Sequence, residues 1–359
     1  MFAFSLGLLA TPSLAMDGIG HGPPGGGGAS GGTPPTGLAQ VYASIRSALL
    51  DDSRVVRDAI LGRAHEPGQG GWIAGHSGAD RVDGAPAASL NSRGSTGIGG
   101  FDLQSGAWRV GIAAGGGETT YRAPAATASA NVDSWHAGAW IGGEVGGFRL
   151  TGGGAYSHHD VTGRRSDSGG AYSSAFSVQT TQAFGEAAYP LKAGPVSVEP
   201  YARGAWVGLR AQGFSEGGTG ATPVIVDGAS QGVGYGDLGL RFGGAWGGVR
   251  PYADVSWRRS WGDLAPVATG SAPLVGGGSG GVPVSFGDHA EGVGGTAPLP
   301  AGSGAIADLG LPVARDSGTV KAGLQAPFGR AGLLSLSYDG VFGRGVNDQG
   351  VSLRLSMRF

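Results

Sequence analysis

The chain has 359 residues, a formal net charge of −2 and no cysteine, which argues against a nucleic-acid partner and excludes disulfides and thiolate zinc sites. Glycine accounts for 77 residues and charged residues for only 14%, against about 25% charged in typical soluble domains, which indicates a large core or a membrane location. There is no run of about 18 apolar residues, so a transmembrane helix is excluded and a membrane protein of this composition must be a closed β-barrel.

The first 65 residues predict three successive segments. Residues 1–15 resemble a secretory signal peptide, because a short apolar stretch precedes the small residues of Ser13-Leu14-Ala15, although the usual basic start is missing. Residues 16–36 are rich in glycine and proline and are predicted to be a linker. Residues 37–65 carry apolar side chains at three- and four-residue spacing, which predicts a helix with a break near Asp51-Asp52-Ser53.

From Trp72 onwards the pattern changes to short alternating runs, which predict strands. We predict twelve of them, an even number as in single-chain outer-membrane barrels. They lie near 71–77, 96–104, 107–116, 132–144, 147–159, 176–189, 195–209, 232–243, 248–261, 316–327, 332–342 and 349–359.

The predicted connections are unequal in length. Tight turns are expected at Ser105-Gly106, Gly146-Gly147, Gly194-Pro195 and Gly247-Gly248. Longer loops are expected at 79–94, 117–131, 160–175, 210–230 and 262–315, with a glycine-rich insertion around 276–305 that has no fold of its own. Short turns at one end and long loops at the other are typical of periplasmic turns and extracellular loops.

The last nine residues, 351–359, give the clearest strand. Apolar residues at the odd positions alternate with serine and arginine at the even positions, up to a terminal Phe359. An extended chain therefore has one apolar face and one charged face, which suits lipid outside and a wet lumen inside. An edge strand of a soluble β-sandwich has the same pattern, so the strand count and the unequal loops favour the barrel.

Short segments across residues 37–359 resemble, in the same order along the chain, the C-terminal translocator domains of autotransporters (type V secretion). The matching segments are 52–63, 99–102, 108–111, 153–160, 183–186, 198–202, 213–218, 238–241 and 257–266, with Arg164 and the terminal Phe359. The resemblance implies an all-β transmembrane fold, in which a 12-stranded antiparallel outer-membrane β-barrel at 71–359 holds an N-terminal helix (37–65) threading its lumen. It also implies a location in the outer membrane of a Gram-negative bacterium.

The partners implied by the resemblance are outer-membrane lipid, an assembly machinery that reads Phe359, and the protein's own passenger segment. Only the linker at 16–36 stands where a passenger is expected, so the cargo is not identified. The insertion before 310–316 is also longer than the resemblance leads us to expect. Residues 37–65 contain no asparagine, which argues against the asparagine cyclisation by which some relatives cut this helix.

Charged residues inside the predicted strands are expected to line the lumen, because charges within a membrane span must face water or each other. They either pair with the helix or solvate the lumen wall. The candidate residues are Arg46, Asp51, Arg54, Arg57 and Asp58 on the helix and Glu186, Arg203, Arg241 and Arg258 on the wall.

No catalytic residue, cofactor or metal is predicted. The G-x-S-x-G sequence at 213–217 is not followed by a helix, which a nucleophile elbow needs. His158 and His159 are adjacent in a strand and therefore point to opposite faces. The sequence thus predicts an outer-membrane translocator without enzymatic turnover. The alternatives are a plugged porin or adhesin with the same barrel, or a soluble β-rich protein.

Overall fold

A computed structural model describes residues 37–85, 87–194, 196–273 and 303–359. The predicted signal-like segment, the linker at 16–36 and most of the predicted insertion lie outside these residues. The described chain forms one helix and a closed antiparallel barrel of twelve strands. The predicted fold class is therefore confirmed.

Helix α1 spans Gln40–His65. The barrel strands, β1 to β12 in chain order, are Gly70–Val82, Leu90–Ser105, Trp108–Ala123, Ala128–Val145, Phe148–Asp167, Gly170–Ala188, Val196–Ala211, Ala229–Gly244, Arg250–Gly262, Asp316–Phe328, Gly332–Gly343 and Val346–Arg358. Each strand pairs with the next, and β1 pairs with β12 from Gly70↔Arg358 to Val82↔Val346, which closes the barrel. Shorter elements are a 3-10 turn at Pro124–Ala126 and strands at Leu191–Ala193, Phe214–Ser215, Gly217–Gly218, Ile225–Val226, Val267–Pro273 and Ser303–Leu309.

Several strands are longer than predicted, and three predicted loops (79–94, 117–131 and 160–175) are more than half strand. The predicted loop at 117–131 is shortened to the turn between β3 and β4, and only residues 168–169 connect β5 to β6. The apolar alternation that identifies a strand in sequence is needed only where the outer face meets lipid. Beyond the lipid the outer face carries polar side chains, but the backbone groups still pair with the neighbouring strands.

The outer face of the barrel carries the apolar side chains. In β12, Val351 and Leu353 are each 51% exposed on the outer face, whereas Ser356 on the inner face is 1% exposed. Trp108 and Trp206 are also exposed on the outer face, but Trp72, the first aromatic residue of β1, is buried inside. Within the described residues, no helix combines the length and the apolar character needed to cross a membrane.

Helix α1 lies inside the barrel and is continuous, so the predicted break near Asp51-Asp52-Ser53 is wrong. The Tyr235 hydroxyl donates a hydrogen bond to Asp51 (3.0 Å) and the Tyr121 hydroxyl donates one to Asp52 (2.5 Å). The Ser53 hydroxyl donates to the carbonyl of the previous helical turn. The lumen wall thus provides the partners that two adjacent carboxylates need in a buried helix.

We call the end of the barrel with Phe359 and the turns after β2 and β4 the turn end, and the opposite end the loop end. At the loop end, part of the predicted loop 262–315 is folded: Val267–Pro273 and Ser303–Leu309 form a hairpin. Ile225–Val226 and Phe214–Ser215 extend this hairpin to a four-stranded loop-end sheet. The sheet and the chain that follows it pack against the first turns of α1, where Leu311 and Val313 are buried.

Candidate functional site

The turn end of the lumen holds the last turn of the helix through a buried ion-pair cluster. Arg63 is fully buried and donates two hydrogen bonds to the Asp102 carboxylate of β2, at 2.6 and 3.0 Å. Glu66, just after the helix, pairs with Arg63 at 3.3 Å and accepts a 2.5 Å hydrogen bond from Ser356 of β12. Arg354 of β12 also reaches Glu66, at 3.3 Å. The helix C-terminus is therefore tied to both strands that flank β1.

Arg109 of β3 completes this end by capping the helix. Its guanidinium donates to four backbone carbonyls, those of Arg63 (3.1 Å), Ala64 (2.5 Å), Glu66 (2.7 Å) and Gly68 (2.6 Å). The last carbonyls of a helix lack partners within it and carry partial negative charge. Arg109 bonds all four acceptors, two of which also accept from Glu66 N–H and from Arg63, and this stabilises the bend from the helix into β1.

Charged side chains form two rows around the lumen wall, and acidic and basic residues alternate within each row. The backbone register places inward residues of neighbouring strands directly opposite each other, where opposite charges stabilise a pair. The first row, from β6 to β9, is Glu186, Arg203, Asp237 and Arg258. The second row, from β7 to β11, is Glu199, Arg241, Asp254, Lys321 and Asp339. We refer to them as the two charge ladders.

The first ladder contacts the helix directly at two positions. Arg203 lies 3.3 Å from Asp58 of α1 and 2.8 Å from Glu186. Glu186 in turn lies 2.6 Å from the imidazole of His65. These contacts join the helix to a wall that is already internally paired.

The other wall residues singled out in the sequence mostly bond within the wall. Arg258 donates to Asp237 at 2.7 and 3.0 Å, and Arg241 bonds Glu199, Asp254 (3.3 Å) and Glu186 (3.1 Å). Some of these charges therefore pair with the helix, and others pair across the wall.

The remaining helix residues reach different kinds of partner. Arg54 pairs with Asp339 (3.4 Å) and Asp348, whereas Arg57 donates to the neutral amide of Gln182 at 2.9 Å. Arg46 donates to the backbone carbonyl of Val267 in the loop-end sheet at 2.5 Å. Asp51 accepts from a tyrosine, as described above. Polar contacts thus run along the whole helix.

The loop end holds the first turn of the helix. Helix α1 has no capping side chain of its own, but both Asp308 oxygens accept from backbone N–H groups, those of Gly37 (2.7 Å) and Ala39 (2.8 Å). A carboxylate at this position also favours the positive end of the helix dipole. Asp308 thus caps the beginning of the helix as Arg109 caps its end.

A second contact at the loop end involves Glu216, which is buried in the connection between β7 and β8. Its carboxylate accepts hydrogen bonds from the Tyr42 hydroxyl (2.6 Å) and from Arg165 of β5 (3.1 and 2.7 Å). Phe176 and Phe214 stack at 4.3 Å between ring centroids, and Tyr42 packs edge-on against both. Helix, barrel and loop-end sheet meet at this point.

Sequence reasoning missed several of these residues. Asp102, Arg109, Arg165, Glu216 and Asp308 make the contacts at the two ends of the helix, and none was singled out. Arg109 and Arg165 had a usable signal, because each is a charged residue at an inward-facing position of a strand. Glu216 and Asp308 lie in connections between barrel strands, where the sequence shows no alternation that would identify an inward-facing position.

The helix does not fill the lumen evenly. On the β4 side it packs against the wall so closely that a Cβ at Gly138 would lie 2.9 Å from Ile60 Cδ1. On the opposite side, between Asp58 and His65 of the helix and the two ladders, a cavity of about 510 Å³ remains. We call it the turn-end vestibule, because its rim includes Lys192 and Arg250 near the ends of strands at that end.

The motifs rejected from sequence are placed as follows. Ser215 lies in the two-residue strand Phe214–Ser215, with no helix after it. His159 is buried and faces the lumen, whereas His158 is on the outer face, where it stacks with Trp135. Among the described residues, no group of three or more histidines and carboxylates has an arrangement suited to a metal.

Comparisons with known proteins agree with this architecture. The family described as Autotransporter beta-domain matches residues 71–297. An extracellular serine protease of Serratia marcescens is 27% identical over 348 residues, which cover 89% of this chain but 30% of the relative. The chain thus spans less than a third of the length of that relative.

Solved structures show the same fold. The translocator domain of the autotransporter NalP from Neisseria meningitidis matches with a TM-score of 0.69 at 16% identity, over 89% of this chain and 100% of that one. The transport unit of the autotransporter AIDA-I from Escherichia coli matches with a TM-score of 0.62 at 13% identity, over 90% and 100%.

Proposed function

The chain belongs to the autotransporter β-domain family and is an outer-membrane translocator domain, and on that premise we propose that it carries polypeptide joined to its N-terminus to the cell surface. The barrel acts as anchor and conduit and has no enzymatic turnover of its own. The loop end faces the outside of the cell and the turn end faces the periplasm. Helix α1 is the segment that remains in the lumen when transport ends.

The direction of the helix carries this proposal. Residues Gly37 and Ala39 are held at the loop end by Asp308, and the chain leaves the helix at the turn end to begin β1 at Gly70. A polypeptide that precedes residue 37 is thereby joined to the lumen at the loop end. Outer-membrane barrels place longer connections outside and short turns in the periplasm. The preceding polypeptide is therefore on the cell surface.

An epitope placed immediately before residue 37 tests the direction. In cells that express the full chain behind a secretion signal, we expect antibody to label this epitope on intact cells. A matched control carries the same epitope in the turn at 329–331, which should be labelled only after the outer membrane is permeabilised. Labelling of the first epitope only after permeabilisation would contradict the proposal.

A permanently plugged porin or adhesin is the second candidate, because the loop-end sheet and α1 together obstruct the lumen. The two functions differ in whether the lumen transmits polypeptide. We expect low single-channel conductance from the full chain and a sharp increase when residues 37–65 are deleted. A long reporter polypeptide fused before residue 37 then separates the candidates, since a translocator carries its whole length to the surface of intact cells, whereas a permanent plug leaves it in the periplasm.

Phe359 is proposed as the signal read by the outer-membrane assembly machinery. It follows the last paired residue of β12 and its side chain is 72% exposed at the turn end. Deleting Phe359 removes no lumen contact, so we expect fewer assembled barrels and an unchanged conductance for each one. The control is Val351→Ala, which trims an outward side chain of the same strand. Normal assembly of the Phe359 deletion variant would contradict this role.

A further inference from the structure

The turn-end vestibule has an excess of cationic side chains. Nine lysine and arginine side chains line it, against four carboxylates. The carboxylates that balance the other cations, such as Glu186 and Asp237, are almost completely buried in the wall behind them. The surface exposed to the cavity is therefore more positive than the lumen as a whole.

Each of the four lining carboxylates already has a cationic partner. Glu199 lies 2.7 Å from Arg149, Asp58 lies 3.3 Å from Arg203, and Asp339 lies 3.4 Å from Arg54. Asp254 lies 3.3 Å from Arg241 and also accepts a 2.7 Å hydrogen bond from Tyr201. The acidic groups are thus engaged by the protein itself.

Three of the lining cations have no such partner. Among the described residues, Lys192, Arg250 and Lys321 have no carboxylate within the 4.0 Å limit of an ion pair. Lys321 belongs to the second ladder and is half-buried, opposite Asp254 and Asp339, which form their ion pairs with other residues. Lys192 and Arg250 are exposed at the rim. They have inward register positions, since Lys192 pairs with Ser197 and Arg250 lies four residues before Asp254.

We propose that the turn-end vestibule binds the phosphoryl group of a small soluble molecule. Lysine and arginine are the side chains that bind phosphate, because several N–H donors converge on its oxygens. A bound phosphate supplies the direct ion-pair partner that Lys192, Arg250 and Lys321 lack. The volume of about 510 Å³ accommodates more than the phosphate alone. The ligand approaches from the compartment at the turn end, and the same cations favour anions over cations in any ion flow past the helix.

Titration of the purified full chain in detergent tests this proposal. The probes are inorganic phosphate and glucose 6-phosphate at constant ionic strength, and the readout is the midpoint of thermal unfolding. We expect both the wild type and the control Arg330→Gln, which alters an exposed turn outside the vestibule, to be stabilised by one of these probes. Lys192→Gln/Arg250→Gln/Lys321→Gln should bind it at least tenfold more weakly. The single variant Lys321→Gln removes only the ladder cation and leaves the two rim cations, Lys192 and Arg250, in place.

The outcomes distinguish the ligand and the site. Stabilisation by inorganic phosphate identifies a free-anion site, and stabilisation by glucose 6-phosphate alone identifies a phosphate-ester site. The proposal would be overturned if the probes stabilised the wild type and the triple variant equally. It would also be overturned if they stabilised neither protein. A loss of binding in Arg330→Gln as large as that in the triple variant would overturn it too, because it would reveal general surface attraction. The proposal for transport does not depend on this result, since the epitope experiment measures it separately.

Discussion

Replacing Arg109 with methionine removes the cap from the end of α1 and leaves a side chain of similar length. The carbonyls of Arg63 and Gly68 keep another donor, but those of Ala64 and Glu66 lose theirs, and each buried acceptor left without a donor costs about 1–3 kcal/mol. The 3.7 Å contact between Arg109 and Asp102 is lost as well, so we expect a total of about 3–5 kcal/mol, as for other broken buried ionic contacts. At tenfold per 1.4 kcal/mol, the seated helix should lose roughly a hundred- to several-thousand-fold in equilibrium preference.

The assay is single-channel conductance, with barrel folding checked by gel mobility before and after boiling. We expect Arg109→Met to remain a heat-modifiable barrel, since the strand pairings are untouched, and to open far more often than the wild type. Arg122→Met is the matched control, because Arg122 is exposed on the outer face of the same strand. A folded Arg109→Met barrel with wild-type conductance would refute the reasoning, and so would equal opening in the control.

Three further predictions concern the loop end. Asp308→Ala should cost about 1 kcal/mol, as for a lost helix N-cap, and should increase protease cleavage near residues 37–40. Gly310→Ala should lower thermal stability by about 1–3 kcal/mol, because its Cβ would lie 2.6 Å from the helix backbone at Ala43, whereas Gly204→Ala has open space and should change stability by less than about 0.5 kcal/mol. Glu216→Ala should cost about 3–5 kcal/mol, because it leaves Arg165 without its main partner; a loss below about 1 kcal/mol in denaturant unfolding would contradict this.

The fold was predictable because lipid imposes a simple rule on sequence. Wherever a strand crosses the membrane, its outer residues must be apolar, and the resulting alternation gave all twelve strands and the inward positions of Arg354 and Ser356. The rule does not apply beyond the lipid, so the loop-end parts of β3 and β5 have the sequence pattern of loops. The hairpin at Val267–Pro273 and Ser303–Leu309 was not predicted for the same reason, since its strands pair in the loop-end sheet and not in the barrel wall.

The site was predictable only where a charged residue lies within a predicted membrane-spanning strand. Arg203 and Glu186 were identified because charged residues inside a membrane strand must face the lumen. Asp308 lies 269 positions from the N–H group of Ala39 that it caps, and no local pattern connects the two. The break expected at Asp51-Asp52 failed for a related reason, because the tyrosines that stabilise those carboxylates come from distant strands.

The two charge ladders and the two caps have different consequences for a chain in the lumen. Each ladder pairs most of its charges with neighbouring strands, so its wall presents few unpaired charges to bind a passing segment of any particular sequence. The caps, in contrast, bind backbone groups that cluster at the two helix ends: Asp308 accepts from N–H groups at and before the N-cap, and Arg109 donates to carbonyls of the last turn and of the chain just after it. An extended polypeptide has no such clusters, because its N–H and C=O groups alternate along the chain. On the proposed transport function, we therefore expect the lumen to release an extended chain and to retain a helix whose length matches the distance between the caps.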